Sequence, residues 1–190
     1  ILGLASYIIE TKQNILGTLR FIFQPAEETA PGGAVIMIEG GAIDGVDHII
    51  GAHILPSLSP MKIGIRHGFM AAAVEQIVVC LKGPGGHTSR PAESVDLIWA
   101  QSHLVISLEQ SIKHHLSQEE RVVLAFGNVE GGTTCNVLPD EINMTGTLRY
   151  LNADIADTLH DIIDHTIHAV EELTDAKIDW SIPHTSPGLI

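Results

Sequence analysis

"EQIVVCLKGPGGHTSRP", residues Glu75–Pro91, alternates like a strand as far as Lys82 and then breaks on a glycine-rich loop that carries His87. Downstream, helices and strands succeed one another in a fixed order. Val95, Ile98, Trp99, Val105, Leu108 and Ile112 have helical spacing. Two strand-like stretches come next, Arg121–Val129 and Glu141–Tyr150, separated by the turn "GGTTCNVLPD". A second helix is expected from about Asp154 to Leu173, with Ile155, Leu159, Ile162, Ile163, Val170 and Leu173 inward, and a last strand at Lys177–Ile182. The order βαββαβ predicts a four-stranded antiparallel sheet with two helices on one face, the ferredoxin-like layout.

Upstream the architecture changes. "HGFMAAAV", residues 67–74, reads as a hinge, preceded by a short strand at Met61–Arg66. Leu19–Gln24 and His48–Ile54 have strand length and flank a helical stretch, Gly33–Glu39, that Gly40 and Gly41 stop. Strand, helix, strand predicts a βαβ unit in a parallel sheet. Ile1–Glu10 reads as the tail of an amphipathic helix, and "SIPHTSPGLI" ends the chain just after a Pro/Gly turn. The expectation is a piece of a longer protein.

Composition narrows the function. With 190 residues, 45% of them hydrophobic, the chain can bury a real core. A formal charge of −13 with only 10 Lys and Arg argues against nucleic acid and anionic membranes as partners. The two cysteines, Cys80 and Cys135, form no CxxC pair, so a reducing cytoplasmic location is expected. No apolar run reaches the roughly 20 residues of a membrane span.

Within "FQPAEETAPGGA", residues 23–34, Glu27 and Glu28 stand side by side just past a strand-like run. Pro25 disfavours helix before them, and in extended chain consecutive side chains point in different directions. One carboxylate can then ligate a metal while its neighbour faces the attacking water as general base. His53, in "IIGAHILP", sits where a neutral imidazole could bind a metal, and is as compatible with a packed histidine. Both lie at or beyond the carboxyl ends of the expected strands, where open α/β sheets build sites. The loop of His87 allows the imidazole to protrude, although a plain strand-to-helix turn has the same sequence. Asn136 and Arg149 could bind a carboxylate through an amide and a guanidinium fork. His160, Asp161, Asp164, His165 and His168 have ligand-like helical spacing but read as a solvated face, and His114 and His115 as partners of a helix dipole.

Taken in order, "FIFQPAEE", "MIEGGAIDGVD", "GAHILP", "GIRHGFMAAA", "GPGGHTSRP" and "GGTTCNVLPDEINMTGTLR" resemble the dinuclear-metal amidohydrolases of the aminoacylase, hippurate hydrolase and auxin-conjugate hydrolase group. The resemblance covers essentially the whole chain. It implies an α/β fold: a partial zinc-peptidase-like catalytic domain at residues 1–69, a ferredoxin-like lid and dimerisation domain at 70–182, and the start of a return at 183–190. It implies hydrolysis of an N-acyl amino acid, with Glu27 as general base, Glu28 and His53 as metal ligands, and His87 stabilising the oxyanion in the partner subunit's site. Asn136 would help hold the substrate, and Arg149 would hold its carboxylate or serve the lid structure. Two divalent ions, Zn²⁺, Mn²⁺, Co²⁺ or Ni²⁺, would serve the whole enzyme. The family's upstream Cys-x-His motif and distal His have no counterpart here, so this piece alone is expected to lack activity and to hold little or no metal. The alternative is a non-catalytic ferredoxin-like dimerisation or ligand-binding module.

Overall fold

The computed structural model describes residues 1–28 and 32–189. Residues 29–31 of the glutamate stretch and Ile190 therefore lie outside the described residues. The chain divides into two compact units, Ile1–Pro60 and Met61–Ile190.

In the first unit, helix α1 (Leu2–Thr11) ends where Lys12 turns left-handed at φ 49°. Helix α2 (Ala34–Glu39) occupies the stretch expected to be helical. Beyond it, the Arg20 guanidinium gathers the turn by donating to the carbonyls of Ala42 at 2.9 Å and Asp44 at 3.0 Å. The expected strands are not formed: Leu19–Gln24 and His48–Ile54 carry no ladder among the described residues. Parallel strands are stable when neighbours pair their backbones and helices cover both faces. Here the apolar side chains of those runs lie open instead, Ile50 at 94% and Ile54 at 86% exposure. Met61–Arg66, in the second unit, likewise joins no ladder among the described residues.

The second unit carries the layout expected of it. Its long strands are β1 (Ala73–Lys82), β3 (Val122–Gly131), β5 (Glu141–Tyr150) and β6 (Lys177–Ser186), in the spatial order β3-β5-β1-β6. All pairings are antiparallel. Two short strands, β2 (Gly86–His87) and β4 (Val137–Leu138), form a separate ladder that the sequence did not announce. Helices α3 (Leu97–His115) and α4 (Ala156–Thr174) bury one face each. Alternate residues of β1 point inward, Ala73, Ile77, Val79 and Leu81 among them, as do Ile142, Met144 and Leu148 of β5. Each fully buried aliphatic side chain of this cluster contributes roughly 1.5–3 kcal/mol. The entry and exit of the unit are tied together, since Ala71 and Leu189 bridge through Leu189 N–H to Ala71 C=O at 3.0 Å.

The helical stripes differ in phase from the expected ones. In α3 the buried residues are Leu97, Ala100, Leu104, Leu108 and Ile112, a strict i, i+3/i+4 series, which turns Ile98 and Trp99 outward to 52% and 44% exposure. Asp96 starts the helix by accepting from Trp99 N–H at 3.0 Å, which places the first turn. In α4 the last inward place belongs to Thr174, whose hydroxyl donates to Val170 C=O, and Leu173 is exposed. Among the described residues no helix is long and apolar enough to cross a membrane.

Candidate functional site

The β2–β4 ladder explains why a glycine-rich loop follows β1. Gly86 pairs with Leu138 and His87 with Val137, while Thr88 N–H donates to Asn136 C=O at 3.1 Å. Gly83 N–H reaches Asp140 C=O at 3.1 Å and closes the base of the zipper. A Cβ on Gly85 would stand 2.7 Å from Leu138 O, so only glycine lets the two backbones approach. His87 and Asn136, distant in sequence, are thus brought side by side. The Asn136 side-chain oxygen accepts from Thr134 Oγ1 at 3.1 Å, which leaves its amide NH₂ as a donor without a partner among the described residues. Next to them a cleft of about 420 Å³ is lined by Gly85, Gly86, His87, Ser89, Arg90 and Glu93.

His87 is exposed, and its Nδ1 receives both Ser89 N–H, at 3.1 Å, and Ser89 Oγ, at 2.8 Å. His53, in the first unit, is the opposite case. Its Nδ1 lies 2.7 Å from Ile54 C=O. A carbonyl only accepts, so Nδ1 carries the proton there and Nε2 keeps a lone pair.

Glu27 and Glu28 are exposed in a turn that follows Ala26, held left-handed at φ 53°. Gly33 lies hard against Pro25, where a Cβ would fall within 3 Å of its carbonyl and ring. In kind, a Glu28 carboxylate and the free Nε2 of His53 suit a divalent ion. In number they fall short, because among the described residues no three His, Cys, Asp or Glu side chains converge.

Arg149 is exposed on the sheet face opposite the helices, paired across to Val74 and Val123. That is toward the far end of β5 from Asn136, roughly 27 Å of strand beyond Glu141 at about 3.4 Å per residue. Within one chain the structure unites His87 with Asn136 and separates Arg149 from both.

The charged group that sequence reasoning passed over is Glu75. It is only 3% exposed, with Tyr150 OH donating to Oε1 at 2.8 Å and His160 Nε2 at 2.8 Å from Oε2. His160 is therefore not part of a solvated face, as its spacing had suggested. It bridges α4 to β1, while Asp164 accepts from Trp180 Nε1–H at 3.2 Å. Burial first, then the bond to Glu75, push the Tyr150 phenol up to about 12. The available signal was a carboxylate on the inward phase of β1.

The chain belongs to peptidase family M20/M25/M40, whose profile matches residues 1–187. It is 33% identical over 180 residues to the N-acyl-L-amino acid amidohydrolase of Geobacillus stearothermophilus, covering 95% of this chain and 49% of that one. It is 36% identical over 149 residues to the N-acetylcysteine deacetylase of Bacillus subtilis, covering 78% and 39%. Among solved structures it resembles the Bacillus subtilis YXEP protein, a dinuclear metal binding peptidase of the M20 family, with TM-score 0.76 and 27% identity over 100% of this chain and 47% of that one. The chain spans about half the length of the curated relatives it matches.

Proposed function

We propose that this chain is the middle of a longer, cytoplasmic enzyme that hydrolyses the amide bond of N-acyl amino acids. In that reading residues 1–69 belong to the catalytic domain, 70–182 to the lid, and 183–190 begin the return. The observation that carries the reading is the opposite hydrogen bonding of two histidines: His53 is left with a lone pair, as a ligand needs, and the His87 ring accepts at Nδ1, as an Nε2–H donor needs. The similarity to an N-acyl-L-amino acid amidohydrolase supports the substrate class.

Glu28 and His53 would contribute to holding divalent ions, which supply Lewis-acid polarisation of the scissile carbonyl. Glu27, free of that duty, takes the proton of the attacking water. His87 donates to the oxygen on which negative charge develops, a role that favours a preorganised donor. The Asn136 amide donates to the substrate carboxylate, and Arg149 either pairs with it or serves the lid. A homodimer through the lid is supported by β3, an edge strand with an open ladder side, and by Ile98, Trp99 and Ile106 exposed on α3.

The test is a screen of the longer enzyme against N-acetyl, N-benzoyl and indole-acyl amino acids with Zn²⁺, Mn²⁺, Co²⁺ or Ni²⁺. Release of free amino acid that a chelator abolishes is expected. Failure to hydrolyse any of them with any of the four metals would sink the assignment.

A further inference from the structure

We infer that Ser89 is a positioning residue that fixes His87 as its Nε2–H tautomer. The catalytic consequence rests on the reading of His87 as an oxyanion donor; the tautomer itself does not.

A backbone N–H can only donate, and Ser89 N–H lies 3.1 Å from His87 Nδ1. Nδ1 must therefore offer its lone pair in that direction. A neutral imidazole has one N–H, which is then left on Nε2. The Ser89 hydroxyl, 2.8 Å from the same nitrogen, could in isolation give or take a proton. With Nδ1 already accepting, it donates as well. Two donors from one residue thus converge on one nitrogen and set both the proton's place and the ring's rotation. The backbone beneath is equally fixed, because Arg90 N–H donates to His87 C=O at 2.8 Å and His87 is in register with Val137. A ring flip would put a carbon where Nδ1 stands and forfeit both bonds to Ser89. The opposite tautomer would set an N–H against the Ser89 N–H. What projects from the loop is consequently a donor, which an oxyanion attracts, rather than a lone pair, which it repels.

Two readouts test this independently. In the 190-residue chain labelled with ¹⁵N-histidine, with His87 assigned by its loss in His87→Gln, the neutral ring should show a protonated Nε2 and an unprotonated Nδ1. Ser89→Ala keeps the backbone N–H but removes the hydroxyl, one of the two donors to Nδ1, so the Nδ1–H form should gain population, and Ser89→Thr, which keeps both donors, should keep the original spectrum. A neutral His87 protonated at Nδ1 in the unaltered chain overturns the proposal, and so does a Ser89→Ala spectrum identical to the original. In the longer enzyme, Ser89→Ala should lower kcat several-fold with KM little changed, and Ser89→Thr should restore it. Placed on His87→Ala, Ser89→Ala should cost nothing further, since it acts through that ring. Full additivity of the two losses would rule out positioning. If His87→Ala keeps its kcat, the oxyanion reading falls, and the spectra still decide whether Ser89 governs the ring.

Discussion

At the scale of single residues, adjacent carboxylates repel, and in the proposed reading the two have different work to do. Glu27 and Glu28 share exposure and a turn, so burial does not distinguish them. Their roles separate by experiment in the longer enzyme. Glu27→Gln should keep the metal content while kcat falls by roughly 10²-fold or more, the scale of lost general-base help. Glu28→Gln should lose metal instead, by elemental analysis. Equal loss from both variants would mean that the two side chains share one task. The cysteines separate by environment. Cys80 is part-buried on β1, and burial first, then the charge of Glu141, raise its thiol above the ordinary range. Cys135 is exposed in the turn before β4. A limiting thiol-alkylating reagent should label Cys135 well before Cys80, read by peptide mass spectrometry; equal rates would contradict the burial argument.

At the scale of elements, the antiparallel unit was legible because alternation and helical spacing record one-sided burial, and β1, β3, β5, β6 and both long helices lie where those periods put them. The phase of α3 was not, because Ile98 and Trp99 are apolar and fit a stripe as well as Leu97 and Leu104 do; only the cap at Asp96 decides between them. The strands of the first unit were legible as runs but need neighbours that a period does not guarantee. Within the site, the glycines signalled the His87 loop, whereas the β2–β4 ladder that draws in Asn136 has just two residues a side and no period to read. The Glu75 network was hidden because its partners lie 75 and 85 residues away. Its pH linkage has a definite sign. A phenol near pH 10 when unfolded and about 12 when folded stabilises fully below pH 10, and that contribution is lost as pH rises toward about 12. Urea midpoints followed by tryptophan fluorescence, which reports this unit through Trp99 and Trp180, should fall between those pH values. Tyr150→Phe should cost roughly 1–3 kcal/mol at neutral pH by leaving Glu75 short of a donor, and should flatten the alkaline fall. An unchanged alkaline slope in that variant would place its origin elsewhere.

At the scale of the whole molecule, the proposed role of His87 raises the question of which chain's site it would serve. The loop's base is locked to β4 and its imidazole is exposed, so the ring is presented outward from the unit that bears it. If two lids pair in a symmetric dimer, each composite site combines Glu27 and His53 of one chain with His87 of the other. The proposal has a genetic form. Glu27→Ala and His87→Ala variants of the longer enzyme should each be nearly inactive. In a mixed dimer one site collects both lesions and the other collects neither. Random pairing makes about half the dimers mixed, each with one intact site of two, so activity should return to roughly a quarter of the unaltered level. If His87 acts within its own subunit, every site in the mixed dimer carries one lesion and mixing restores nothing. Recovery near a quarter in the unfractionated mixture, with mixed dimers confirmed by differential tags, therefore establishes action across the interface, and no recovery from confirmed mixed dimers excludes it.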